Sequence, residues 1–122
     1  MRLALILFAI LPLTTISASG GEQVKVAASP LVSFAPSNVR IQVRIVPSDE
    51  NRGLEVVAES GEFYRSSLVQ LEGATAPAAM QFEFHDLPGG EYHVYGILTD
   101  SAGGQRAVAY QKLKVLTSGA GS

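Results

Sequence analysis

Apolar and polar residues alternate with a period of two along most of this chain, in short runs broken by Gly, Pro, Asn, Asp and Ser. Such a period sends successive side chains to opposite faces of a strand, and no long stretch shows the i, i+3, i+4, i+7 spacing of an amphipathic helix. The clearest run is Val39–Val46, where Val39, Ile41, Val43 and Ile45 point one way and Arg40, Gln42 and Arg44 the other. A turn-rich connection, Pro47–Gly53, leads into Leu54–Ser60, with Leu54, Val56 and Ala58 inward and Glu55, Val57 and Glu59 outward. In Met80–His85 the inward set is Met80, Phe82 and Phe84. The remaining strands are Gln23–Ala27 (continued by Leu31–Phe34 after a kink at Ser29-Pro30), Arg65–Leu71, Glu91–Thr99 and Arg106–Leu116. Arg65–Leu71 has no assignable inward side. The pattern predicts an all-β chain, a two-sheet antiparallel sandwich of about seven strands, because one sheet of that size would leave a whole face uncovered.

The first residues have a different character. Arg2 precedes a wholly apolar stretch, Leu3–Leu13, and the small residues Ser17-Ala18-Ser19-Gly20 follow. The apolar core is too short to span a bilayer and has the length of a secretory leader. The expected organisation is therefore a signal peptide over 1–19, one domain over 20–116 and a flexible tail over 117–122. The mature chain is expected to be secreted or periplasmic, with no membrane span after signal removal. None of the 122 residues is cysteine, which excludes disulfides, thiolate metal sites and cysteine nucleophiles. A formal charge of −2 without any basic block makes nucleic acid a poor partner.

The segment Phe82-Glu-Phe-His-Asp-Leu-Pro-Gly-Gly-Glu-Tyr-His-Val94 resembles the corner before the penultimate strand of fibronectin type III and other immunoglobulin-like (Ig-like) domains. The resemblance assigns Leu87, Gly89 and Tyr92 to a tyrosine corner, the Tyr92 hydroxyl bonding backbone a few residues upstream. Paired cysteines and the buried tryptophan of antibody domains are absent. The same segment is similar to prealbumin-type sandwiches, so the strand order stays open between the two. By analogy alone, the resemblance implies adhesion, display or accessory binding.

Chemistry is sparse. His85 and His93 are the only histidines and flank the Leu87–Gly90 turn. If their strands formed a hairpin, the two imidazoles would face each other with Glu83 alongside, a donor set for Cu(II) or Zn(II). In the corner arrangement the same strands belong to different sheets and the histidines separate. The serines lack the Gly-x-Ser-x-Gly setting of a nucleophile elbow, and the carboxylate pairs Asp49-Glu50 and Glu55/Glu59 read as solvated charges. No enzyme activity and no cofactor are therefore expected. The expected function is a non-catalytic exported binding or structural module of the cell envelope, meeting a protein or envelope component. The alternative is a small periplasmic metal-handling protein using His85 and His93.

Two patterns bear on architecture and contact. Arg40 and Arg44 on one strand match Glu55 and Glu59 on the next, but surface pairs are too weak to decide whether the strands are neighbours. The length of the Val46–Gly53 connection favours a crossover, with Arg44 and Glu55 on different sheets. The final hairpin, aligned with Tyr92 opposite Leu113, pairs Tyr95 with Tyr110 and Ile97 with Val108 on its outer face. Both faces of this hairpin are apolar in the middle, whereas a half-exposed hairpin ordinarily has one polar face. Tyr95, Ile97, Val108 and Tyr110, extended by Val57, form the candidate binding surface. The same residues also read as ordinary cross-strand packing.

Overall fold

A computed structural model describes residues 23–117, so the leader expected over 1–19 and all but Thr117 of the tail expected over 117–122 lie outside the described residues. Eight strands are present among these residues: β1 (Val24–Ser29), β2 (Val32–Phe34), β3 (Ser37–Ile45), β4 (Gly53–Glu59), β5 (Tyr64–Gln70), β6 (Ala79–Leu87), β7 (Gly90–Thr99) and β8 (Gln105–Leu116). A 3-10 turn, Gly73–Thr75, lies between β5 and β6. The strands form a three-stranded sheet in the order β1-β3-β6 and a five-stranded sheet in the order β2-β8-β7-β4-β5. The count exceeds the expected seven because Val32–Phe34 does not continue β1. Between Pro30 and Pro36 the chain changes sheet, and β2 pairs parallel to the end of β8, Val32 opposite Lys114.

The period-two pattern accounts for how the sheets meet. Val39, Ile41, Val43 and Ile45 of β3 are buried against Leu54, Val56 and Ala58 of β4 and Tyr92, Val94 and Leu98 of β7, in one core shared by both sheets. β3 and β4 are not neighbours. β3 ladders to β6, with Arg44 opposite Ala79, and β4 to β7, with Glu55 opposite Ile97. The Val46–Arg52 segment is thus the crossover between sheets, and Arg40 meets Glu83 of β6, 3.7 Å away, instead of Glu59.

Asn51 holds that crossover in place. It is fully buried, its side-chain amide donates to the Val46 carbonyl (2.9 Å), and its side-chain oxygen accepts from Arg106 of β8. Its backbone carbonyl accepts from Gly73 N (3.0 Å). A buried amide is tolerated only when its donors and acceptors are satisfied in this way. A turn-rich stretch containing one Asn among other polar residues gave no sign that this one would be interior.

Tyr92 and Gly96 of β7 set the distance between the sheets. Tyr92 has no exposed surface, sits edge-on to Phe63 at 6.1 Å between ring centroids, and donates its hydroxyl to the Pro88 carbonyl (2.7 Å). Gly96 lets β1 approach: a Cβ there would stand 2.6 Å from Val26 Cγ1. Gly96→Ala should therefore destabilise the fold by roughly 1–3 kcal/mol through overpacking. Adding Val26→Ala should restore most of that loss in denaturant titrations, since the clash is with that one methyl group.

Burial pushes the Tyr92 phenol above its ordinary value of 10.0, against smaller opposing effects of the Ser60 hydroxyl and the Arg65 guanidinium. A phenol harder to ionise folded than unfolded contributes its full stabilisation below the unfolded value and loses it as pH rises toward the folded one. The melting temperature of the wild-type chain should accordingly fall above about pH 10 more steeply than that of Tyr92→Phe. At neutral pH the same substitution, which orphans the Pro88 carbonyl, should cost roughly 1–3 kcal/mol.

Candidate functional site

The two sheets differ in what they show to solvent. The outer face of the three-stranded sheet is polar apart from Ala27 and Ala79: Lys25 and Ser29 on β1, Asn38, Arg40, Gln42 and Arg44 on β3, and Gln81, Glu83 and His85 on β6 are exposed. Arg40 and His85 both lie near Glu83 there, at 3.7 and 3.5 Å. The outer face of the five-stranded sheet is apolar in its middle. Registers Val57↔Tyr95, Tyr95↔Tyr110 and Ile97↔Val108 bring those five residues into two adjacent rows across β4, β7 and β8. Every pairing of the final hairpin drawn from the sequence is present, from Glu91↔Lys114 to Leu98↔Ala107.

Parity along β7 explains this. Because Tyr92, Val94 and Leu98 face the core, His93, Tyr95 and Ile97 must face out, and β8 follows with Val108, Tyr110 and Lys112. Tyr110 is half exposed at 51% and forms the centre of a ring cluster. Its ring lies 5.3 Å from Tyr95 (46° between planes) and 5.7 Å from His93 (22°), and its hydroxyl is 2.7 Å from His93 Nδ1. Val57 is only 6% exposed and serves as the floor of the patch. Glu55, Glu59 and Lys112 lie at its margins, within the same rows as Ile97 and His93.

Two residues of this face escaped the sequence reading. Tyr64 and Leu68 of β5 are exposed at 61% and 69% and continue the rows, Glu59 opposite Tyr64 and Glu55 opposite Leu68. β5 turns Arg65, Ser67 and Val69 inward, so its inner face is too polar for its parity to show. The signal available was the recurrence of Tyr64, Ser66 and Leu68 at alternate positions, without which the strand's outer side stays unassigned.

The metal alternative fails on topology. β6 and β7 lie in different sheets, so His85 lies beside Glu83 and His93 beside Tyr110. Among the described residues no group of three or more His, Cys, Asp or Glu is placed to hold a metal ion. A cleft of about 490 Å³ opens at the end of the five-stranded sheet between Arg52, Leu68, Gln70, Glu72, Thr99 and Asp100. Two of its charged groups, Asp100 and Arg52, are engaged by the local backbone. Asp100 Oδ1 accepts from Ala102 N (2.9 Å) and Gly104 N (2.8 Å), and Arg52 Nε donates to the Asp49 carbonyl (3.2 Å).

No family model and no curated protein matches the sequence. Solved structures do resemble the fold. A superoxide reductase (neelaredoxin) from Ignicoccus hospitalis is 18% identical with a TM-score of 0.57, over 82% of this chain and 85% of that one. The human F-spondin reeler domain is 11% identical with a TM-score of 0.51, over 79% and 91%. A CARDB domain from Pyrococcus furiosus, solved in complex with di-metal ions, is 15% identical with a TM-score of 0.50, over 78% and 92%. At these identities the likeness shows the fold alone, an all-β, β-sandwich-like domain.

The expectation of a non-catalytic binding or structural module of the cell envelope is corrected by this finding. It rested on passing from a sandwich pattern to the absence of catalysis, and chains of similar fold include superoxide reductases, which are enzymes. The companion expectation of no enzyme activity loses the same support. The metal-handling alternative falls with the separation of His85 and His93.

Proposed function

We propose that the outer face of the five-stranded sheet is a protein-recognition surface, centred on Tyr95, Ile97, Val108 and Tyr110, with Val57 as its floor. The observation that carries this reading is the contrast between the two outer faces. Both are solvated sides of the same domain, yet one is polar apart from Ala27 and Ala79, and the other shows half-buried Tyr95, Ile97 and Val108 around the exposed Tyr110 at its centre. A sheet face that had only to meet water would alternate apolar-in with polar-out on both sheets. Tyrosines suit recognition because each contributes a large contact area with few rotors to immobilise, and the hydroxyl retains a hydrogen bond in water. The mixed charges at the margin, Glu55, Glu59 and Lys112, favour a protein ligand of mixed charge over a nucleic acid. Such a face serves an enzyme subunit as readily as a chain without activity of its own.

Two further assignments belong to this proposal. The order β1-β3-β6 facing β8-β7-β4-β5, together with the buried Tyr92 hydroxyl bonded four residues upstream, supports the Ig/fibronectin III-like branch over the prealbumin-like one. The composition of residues 1–19 supports a reading in which the chain is exported and the recognition surface works outside the cytoplasm.

Site-specific photocrosslinking in the cell that makes the chain tests the reading. A benzophenone side chain in place of Tyr110 should give discrete protein adducts that Ile97→Ser diminishes. The same group in place of Gln42, on the polar face, should give none. Equal adducts from both positions, or none from either, would show that this face is not the contact surface.

A further inference from the structure

The edge of the five-stranded sheet carries information that the outer face alone does not. Among the described residues, four strands stand at sheet edges: β1, β6, β2 and β5. Three of them are guarded in ways that discourage strand addition. β2 is three residues long and lies between Pro30 and Pro36. β1 carries the exposed Lys25. β6 carries Glu83 and Asp86, the latter at a left-handed φ of 59°, and its His85 carbonyl already accepts from the Arg65 guanidinium (2.8 Å). β5 has neither proline nor bulge, and its one charge, Arg65, turns inward to reach β6 and stack on Phe63 at 4.9 Å.

The hydrogen-bond phase of β5 is fixed by its neighbour. Leu71 N donates to the Arg52 carbonyl (3.0 Å) and Ser60 N to the Phe63 carbonyl (2.8 Å), just beyond the two ends of the β4–β5 ladder. Bonded pairs in an antiparallel ladder alternate, so Arg65, Ser67 and Val69 bond to β4. The N–H and C=O groups of Tyr64, Ser66 and Leu68 therefore point to the free edge. These three residues are also exposed and uncharged.

We propose that β5 pairs antiparallel with β5 of a second copy of this chain, about a two-fold axis through Ser66. The observation that selects a second copy is self-complementarity. Centred on Ser66, the pairing sets Tyr64 against the partner's Leu68 and Leu68 against the partner's Tyr64, covering two of the most exposed apolar side chains of the described residues with each other. The outward backbone groups of all three residues then meet their counterparts in the bonded phase. Moving the axis one residue toward the amino end sets Arg65 on its own copy, a like-charge contact. Moving it one residue the other way places Leu68 on the partner's Ser66 and leaves Tyr64 facing Gln70. This contact goes beyond the recognition surface and joins the outer faces of two copies into one continuous sheet.

Sedimentation velocity on the purified chain over a wide concentration range gives the test. The wild-type chain should show a monomer–dimer equilibrium. Ser66→Pro deletes an edge donor without touching the β4 ladder, a position where an edge strand accepts proline, and should leave a monomer with the wild-type circular dichroism spectrum. Leu68→Lys keeps every backbone donor and should also give a monomer, so that misfolding of the proline variant cannot explain both. In the otherwise cysteine-free chain, Ser66→Cys should oxidise to a disulfide-linked dimer, and Ser101→Cys on the exposed hairpin loop should not. Tyr95→Ser with Ile97→Ser should leave the dimer intact, which separates this contact from the recognition surface. A wild-type chain that stays monomeric throughout, or a dimer that survives both Ser66→Pro and Leu68→Lys, overturns the proposal.

Discussion

The Tyr92 side chain is the constraint on which the rest of the arrangement depends. A phenol ring with no exposed surface must have its hydroxyl satisfied, and the Pro88 carbonyl four residues earlier is within reach only if the chain bends sharply between Leu87 and Gly90. That bend carries the chain from β6 in one sheet to β7 in the other. Leu87, also fully buried, anchors the near side of the corner, and Gly90 supplies a φ of 156°. Packed edge-on to Phe63 in the β4–β5 connection, the ring ties the corner to both neighbouring elements.

Tyr92 governs its neighbours through parity. Once it faces inward, each alternate residue of β7 is committed, and the antiparallel registers pass that commitment to β4 on one side and β8 on the other. The inner positions become Val94, Gly96 and Leu98, with Gly96 small enough for Val26 to seat against it. The outer positions become His93, Tyr95 and Ile97, and with them Val57, Val108 and Tyr110. The apolar outer face is thus no accident of composition in one strand. It is maintained across three strands while the facing sheet, under the same pleat, keeps its outer side polar.

Legibility in the sequence varied with how cleanly each strand alternates. The buried face of β3, four aliphatic residues alternating with three polar ones over Val39–Ile45, was plain from residues alone, and the β7–β8 hairpin, with its tyrosines at matched positions, could also be placed in register. The crossover after Val46 was readable from the length of its connection. β5 was not readable, because Arg65 and Ser67 face inward at an open side of the domain where Arg65 finds a carbonyl of β6. β2 was read as part of β1, since nothing in three residues announces a change of sheet. Asn51 was missed because interior amides are recognised by their partners, and those come from Val46, Gly73 and Arg106, which are distant or unremarkable in sequence. The step from fold to the absence of catalysis was an inference of a different kind, and similar folds that belong to enzymes remove its footing.

Tyr92 and the crossover before Gly53 together divide the strands between two sheets, and backbone nuclear Overhauser effects in the isotopically labelled chain test that division most directly. Cross-strand contacts are expected from Arg44 to Ala79 and from Glu55 to Ile97, with none between Arg44 and Glu55. Contacts running in register between Val39–Ile45 and Gly53–Glu59 would place those strands in one hairpin and contradict it.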